Sequence, residues 1–345
     1  MYTALAMQKP ILLSILLAGV CLALLLTPAR AQVLPTGAML LVVNQGDKNL
    51  SVVDAATGQQ VATIAEGVTA VHGHEVATSP NGRIAYIPIY GSAGVGKPGL
   101  DGHQMLVIDV PARKIIGRVD FGHGVRPHCH IYNRTDGLLY VTTELDKTVS
   151  IIDPHTLKIV GTIPTGQEQS HMLAISHDGR RGYTANVGPG TVSVLDIKAR
   201  KMLAIIPISA ETQRISISND DSMVFTSDQK KPQLAVIDTA TNKVKAWVPL
   251  PGLGYGTAAT KDGRSLLVAI PAANVVAVVD LGTLKVVRTI AVPHAPQEIL
   301  VRPDGKVAYV SCNVKNQVAA IDLSNWKVEK SIDAGRGADG LAWAR

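Results

Sequence analysis

A phrase repeated along this chain constrains its fold more than any other feature: a short run of β-branched residues ending in aspartate, restated about every 42 residues. SVVD closes at Asp54, LVIDV contains Asp109, SIID closes at Asp153, SVLD at Asp196, AVID at Asp238, AVVD at Asp280 and AAID at Asp322. Each is preceded by a strand-like segment and a reversal such as SPNG, RTDG, SHDG, SNDD, TKDG or RPDG, whose Asx and Gly residues suit tight turns. A further strand such as KIVGTIP follows. Four short antiparallel strands per unit, with no helical periodicity between them, predict an all-β chain: a β-propeller of seven four-stranded blades.

The ends of the repeat agree with a closed ring. The first unit, Met39 to Ile64, has three strands and lacks an inner one, whereas DGLAWAR at Asp339 to Arg345 supplies an inner strand and nothing after it. Joining them leaves no orphan edge, so the C-terminal strand should complete the first blade.

Composition refines this reading. The 345 residues are 46% hydrophobic but only 4% aromatic, which suits thin strands. Lys9, an apolar run from Ile11 to Leu26 and the ending Ala29-Arg30-Ala31 predict a signal peptide over residues 1–31, cleaved after Ala31. The expected mature chain, 32–345, is a single propeller domain, periplasmic or secreted, with no transmembrane anchor after cleavage. Removing Lys9 and Arg30 takes the basic count from 33 to 31 against 27 acidic residues, a net charge of +4. No basic run interleaved with aromatics points to nucleic acid. The two remaining cysteines, Cys129 and Cys312, fall in blades that are not neighbours and are expected as free thiols.

The stretch YVTTELDKTVSIIDPHTLKIVGTIPTG, from Tyr140 to Gly166, resembles the YVTN-type propeller repeat of exported bacterial and archaeal proteins, and the resemblance extends over essentially all of the mature chain. Relatives with that repeat include surface-layer proteins, propellers associated with quinone-cofactor metabolism and proteins related to the d-type haem domain of nitrite reductases. The resemblance implies the fold and makes a haem-type cofactor worth testing. Such a group needs an axial histidine and donors for its carboxylates, for which Arg126, Arg214 and Arg336 are available.

The seven units also serve as one another's controls. The Asp markers recur in all of them and belong to the blade. The residue opening each inner strand varies: His74, Cys129, His171, Gln213, Tyr255, Gln297 and Asp339, at one interval of 55 followed by five of 42. Adjacent positions add His72, Glu75, His128, His130, Arg214 and Glu298, and the loops after second strands add Asn44, Tyr90, Glu144, Asn186, Asp228 and Asn313. Alternation along an up-and-down blade puts all of these on one face, around the channel mouth. His155 and His177 fall in turns on the other face and read as ordinary turn residues.

His74, Cys129, His130 and His171 are the candidate metal ligands, since imidazole and thiolate suit copper, zinc or haem iron. The bland alternative is a hydrogen-bonded lining in which histidines pair with Glu75 or Glu144. The 13 additional residues of the second unit, around Gly91 to His103, read as a lid or partner-contact loop. Gly91 to Lys97 fits G-x4-G-K, but Pro98 stands where a P-loop needs Ser or Thr, so no nucleotide site is read there. The functional expectation is a binding module holding a small-molecule ligand, a metal or redox cofactor, or a periplasmic protein. The rival is an enzyme in the same pocket, either a metal- or haem-dependent oxidoreductase or a lyase or lactonase-like propeller with His74 or His171 as base and Arg214 stabilising negative charge.

Overall fold

The computed structural model describes Met1 and residues 37–345. Apart from Met1, the expected signal peptide lies outside the described residues. Those from 37 onward form seven antiparallel sheets, one per unit of the repeat. Blade three runs outward through Pro127–Asn133, Leu138–Thr143, Thr148–Asp153 and Lys158–Pro164, and blades four to seven repeat this order.

The ring closes as the sequence predicts. Ala338–Ala344 pairs antiparallel with Met39–Asn44, with Leu40 opposite Trp343 and Val42 opposite Leu341. Asn49–Asp54 and Gln60–Ala65 complete blade one.

Blade two departs from the regular pattern. Its inner strand is interrupted into His72–Gly73 and Ala77–Thr78, both paired with Ile84–Gly91. In the gap, the carbonyl of His74 turns away from its own blade and accepts from Gly340 N (2.9 Å) on the closing strand.

All seven marker aspartates cap the turn that follows them. Their Oδ1 atoms accept backbone N–H bonds of 2.7–2.9 Å from residues two or three ahead: Ala56 and Thr57, Ala112, His155, Ala199, Thr241, Thr283 and Ser324. The core lies between blades. Phe225, Leu234 and Val248 pack on Leu266, Val268 and Ala277, and Leu40 and Val42 pack on Tyr309 and Val318, all buried. Each such aliphatic side chain contributes about 1.5–3 kcal/mol by leaving water. Among the described residues, the only helices are 3₁₀ turns at Pro271–Ala273 and Asn313–Lys315, and no helix is long and apolar enough to cross a membrane.

Candidate functional site

Blades two, three and four bring four imidazoles and one phenol into contact. His72 stacks on His74 with ring centroids 4.8 Å apart, and His74 lies 5.3 Å from His128. His128 stacks on His171 at 3.6 Å. Tyr90, at the end of Ile84–Gly91, presents its ring edge-on to His74, His128 and His171 at 5.2, 5.1 and 5.4 Å. Stacked and edge-to-face contacts at these separations are favourable, and here they hold unlike blades together.

Two carboxylates anchor the cluster from opposite sides. Glu144, buried after Leu138–Thr143, accepts from Tyr90 Oη (2.7 Å) and contacts His171 Nδ1 (3.1 Å), both through Oε2. Asp339 Oδ2 lies 3.5 Å from His74 Nδ1, and the Gln45 amide nitrogen bridges the two, bonded to Asp339 Oδ2 and 3.0 Å from the imidazole. Buried nitrogens remain without a hydrogen-bond partner: His72 Nδ1, His74 Nε2 and His128 Nδ1. Such groups are rare in native interiors and mark places where a partner is expected.

Beside the imidazoles, Arg214 gathers three acids from three blades. Its guanidinium meets Glu75 at 2.5 Å, Glu298 at 3.0 Å and Asp339 at 3.3 Å, and stacks 4.7 Å over Tyr255. Burial raises Glu75 and Glu298 above the ordinary carboxylate range against the pull of Arg214. Asp339 goes the other way: burial opposes it, but the neighbouring His74, the Arg214 charge and the Gln45 amide hold it low. Of the three acids, Asp339 alone is held below the ordinary carboxylate range.

Burial also governs the imidazoles. It lowers His72 to about 4, His128 and His171 below the ordinary value, and His130 to about 4, so all four are neutral at physiological pH. Beneath His72, the buried carboxylate of Glu66 accepts from Gly73 N at 3.1 Å and is raised by burial to about 7. An acid whose folded pKa is raised stabilises the fold below its ordinary value and loses that contribution as pH climbs through the folded one. Taking the protein from pH 4.5 to well above 7 should thus cost roughly 3 kcal/mol through Glu66 alone. Denaturant melts of Glu66→Gln should lack this decline between pH 4.5 and 7, and an unchanged decline would reject the assignment.

The structure places the remaining predicted residues unevenly. His128, not His130, links His74 to His171. His130 is buried, and neither of its ring nitrogens has a partner. Cys129 joins the apolar cluster between blades three and four, its thiol bonded to the Leu173 carbonyl (3.4 Å) and pushed well up by burial. A thiol held protonated is a poor ligand. The four expected ligands His74, Cys129, His130 and His171 are consequently not one ligand set, and among the described residues no three His, Cys, Asp or Glu converge as a bare-ion site requires. Cys312 is likewise a free, buried thiol.

Asn44, Asn186 and Asp228 serve the blades: each tethers its second strand to the third, Asn44 and Asp228 also to Gly335 and Ser209 in the loop from the preceding outer strand, and Asn186 also to Ser170 on its own inner strand. Asn313 donates to the Ala338 carbonyl, and Gln297 offers its own carbonyl to Gly256 N. Arg336 is exposed and paired with Asp47 (2.6 Å).

The second-blade insertion folds over the ring face beside Glu144. Arg126 latches it, with Nε 2.5 Å from Asp101 Oδ1 and a second nitrogen donating to the Lys97 carbonyl (2.8 Å). Its backbone is left-handed at φ 49°, as is that of Gln169 and Ala295 just before the inner strands of other blades. Between insertion and blade lies a cleft of about 510 Å³ lined by Lys97, Asp101, Arg126, Glu144, Lys147 and Gln169 among others. A larger hollow of about 760 Å³ lies among the turns of the opposite face, around Arg302, Asp304 and Trp326. It contains no imidazole, and its ions are open to solvent.

The sequence matches the profile of the cytochrome D1 heme domain over two overlapping stretches, residues 99–209 and 133–342, together most of the chain. The chain belongs to the cytochrome D1 heme domain family. No curated protein matches it. Among solved structures, this D1-type propeller is similar to hydrazine synthase of Kuenenia stuttgartiensis, with a TM-score of 0.72 and 20% identity over 83% of this chain and 92% of that one. It is also similar to the dihydro-heme d1 dehydrogenase NirN in complex with DHE, with a TM-score of 0.63 and 14% identity over 88% and 74% of the two chains. At these identities the likeness is one of fold.

The family implies a haem-type group, and the donors present in this D1-type propeller fit one. A macrocycle brings its own equatorial ligands and asks the protein for a single imidazole, which matches a cluster with buried unpartnered ring nitrogens and no three-ligand set. Lys97, Arg126 and Lys147 around the adjoining cleft suit carboxylate substituents.

Proposed function

We propose that this protein is an exported binding module that holds a haem-type tetrapyrrole on the ring face, against the imidazoles of blades two to four. The observation that carries the reading is the packing of His74, His128 and His171 about Tyr90, with His72 stacked on His74 and buried ring nitrogens left unbonded. Membership of the cytochrome D1 heme domain family and the fold shared with NirN support it. Export rests on the N-terminal apolar run and its Ala-Arg-Ala ending.

When bound, such a group supplies a redox-active iron. The chain's own residues bury His128 and His171, hold them neutral by that burial, and keep the Glu144 and Asp339 carboxylates on either side of the cluster. The insertion, latched by Arg126, covers one approach.

The test is an absorption titration of the purified protein with haemin. Saturable one-to-one binding with an imidazole-ligated spectrum is expected, weakened about 10–100-fold or more when His128→Ala and His171→Ala are combined in a chain that melts normally. Absence of saturable binding, or equal affinity in the double variant, overturns the reading.

A further inference from the structure

The hydrogen bonds on either side of the cluster determine which nitrogen of each imidazole carries the proton. A carboxylate only accepts hydrogen bonds, so the group of Gln45 facing Asp339 must be its NH₂; its carbonyl oxygen there would set lone pair against lone pair. The same amide nitrogen is 3.0 Å from His74 Nδ1, whereas Asp339 itself stays 3.5 Å from that atom, beyond good hydrogen-bond length. His74 Nδ1 is therefore the acceptor, and its proton sits on Nε2, the buried atom without a partner.

At His171 the logic reverses. Glu144 Oε2 accepts from Tyr90 and meets His171 Nδ1 at 3.1 Å, so Nδ1 must donate. A neutral ring protonated there keeps a bare lone pair on Nε2, as in carboxylate–histidine pairs that orient metal ligands.

We infer that Gln45 with Asp339, and Glu144, set His74 and His171 in opposite tautomers: His171 offers the lone pair that can ligate a metal, and His74 offers an N–H to an acceptor atom of the bound molecule. Gln45, Asp339 and Glu144 are positioning residues in this scheme. The ligand class follows: a metal-bearing molecule that also carries an oxygen or nitrogen acceptor. Arg214 reinforces the arrangement by fixing the other oxygen of Asp339 at 3.3 Å.

This inference deepens the haem-type reading, but its first test needs no haem. Two-bond proton–nitrogen correlation spectra of histidine-labelled, ligand-free protein near neutral pH should show His74 protonated on Nε2 and His171 on Nδ1. Gln45→Leu should convert His74 to a mixture or to the Nδ1 form while leaving His171 unchanged. Glu144→Gln should mix the His171 tautomers and spare His74. An Nδ1-protonated His74, or His74 unmoved by Gln45→Leu, overturns the inference whether or not haemin binds. Where haemin binds, loss of the imidazole-ligated spectrum is expected in His171→Ala and retention in His74→Ala, and the opposite pattern also overturns it. Failure of haemin binding with both tautomers as stated removes the haem-type reading alone.

Discussion

A chain ended after Gly337 should not fold. The lost segment, Ala338–Ala344, is the inner strand of blade one, and its removal strips the hydrogen-bonding partner from Met39–Asn44. Ala338, Leu341, Ala342 and Ala344 are all buried, and Trp343 stacks on Tyr309 with centroids 6.1 Å apart. A leucine-sized side chain contributes about 1.5–3 kcal/mol by burial and each ladder bond about 1 kcal/mol net, so the strand accounts for on the order of 10 kcal/mol. That is comparable with the whole stability of an ordinary domain, about 5–15 kcal/mol. The bared edge of Met39–Asn44 would also invite association. Circular dichroism melts should show no cooperative transition in the truncated chain, and a synthetic peptide of residues 338–345 should restore one. A cooperative melt within a few degrees of the intact protein would show that the ring does not depend on this closure.

Acid should be the second large perturbation. A buried imidazole whose folded pKa is depressed contributes nothing to pH dependence above its ordinary value, then costs stability as pH falls, because the unfolded chain takes up protons the folded one refuses. For His130, completely buried and lowered from 6.5 to about 4, the loss between those values is roughly 3 kcal/mol. His128 and His171 are lowered in the same way by burial, and each adds to the loss. His72 is more open to solvent, which screens its charged form, and it adds less than His130 does. Glu66 works the other way between pH 4.5 and about 7 and offsets roughly one such imidazole, so denaturant midpoints should rise from pH 4 to about 6.5 through the remaining histidines and stay level above 7. His130→Phe should remove part of the acid limb, and identical limbs in variant and parent would show that His130 is solvated in solution.

The fold was legible because each unit repeats the same chemistry. Seven aspartates in register, each followed by a residue whose N–H it can cap, specify blade count and turn position without any long-range information. Closure was readable from what the first unit lacked and the last supplied. The site was legible only in part. His74, His128 and His171 stood out by differing from the residues other blades use, but the register alone gave no reason to prefer His128 over His130. Both lie on Pro127–Asn133, and the choice depends on a stack with His171 from the next blade. Tyr90 becomes the hub through the geometry of blade two, where the inner strand breaks. Glu66 carried a signal that the same comparison could have found. It follows the outer strand where other units place Phe121, Thr165, Ile208, Leu250, Val292 and Ala334, and it is the one charged residue in that series. Gln45 had no such signal, since its role exists only once the closing strand brings Asp339 beside it.

The interrupted inner strand of blade two and the strand that closes the ring meet at the bond from Gly340 to the His74 carbonyl, so the chain's two ends are joined at its most chemically loaded histidine. Protein synthesis runs in one direction, and residue 74 is made long before residue 339. Throughout that interval His74 has neither the acid nor the edge that orients it, whereas Glu144 precedes His171 in the chain. The orientation of His74 is thus settled only when the last strand is in place.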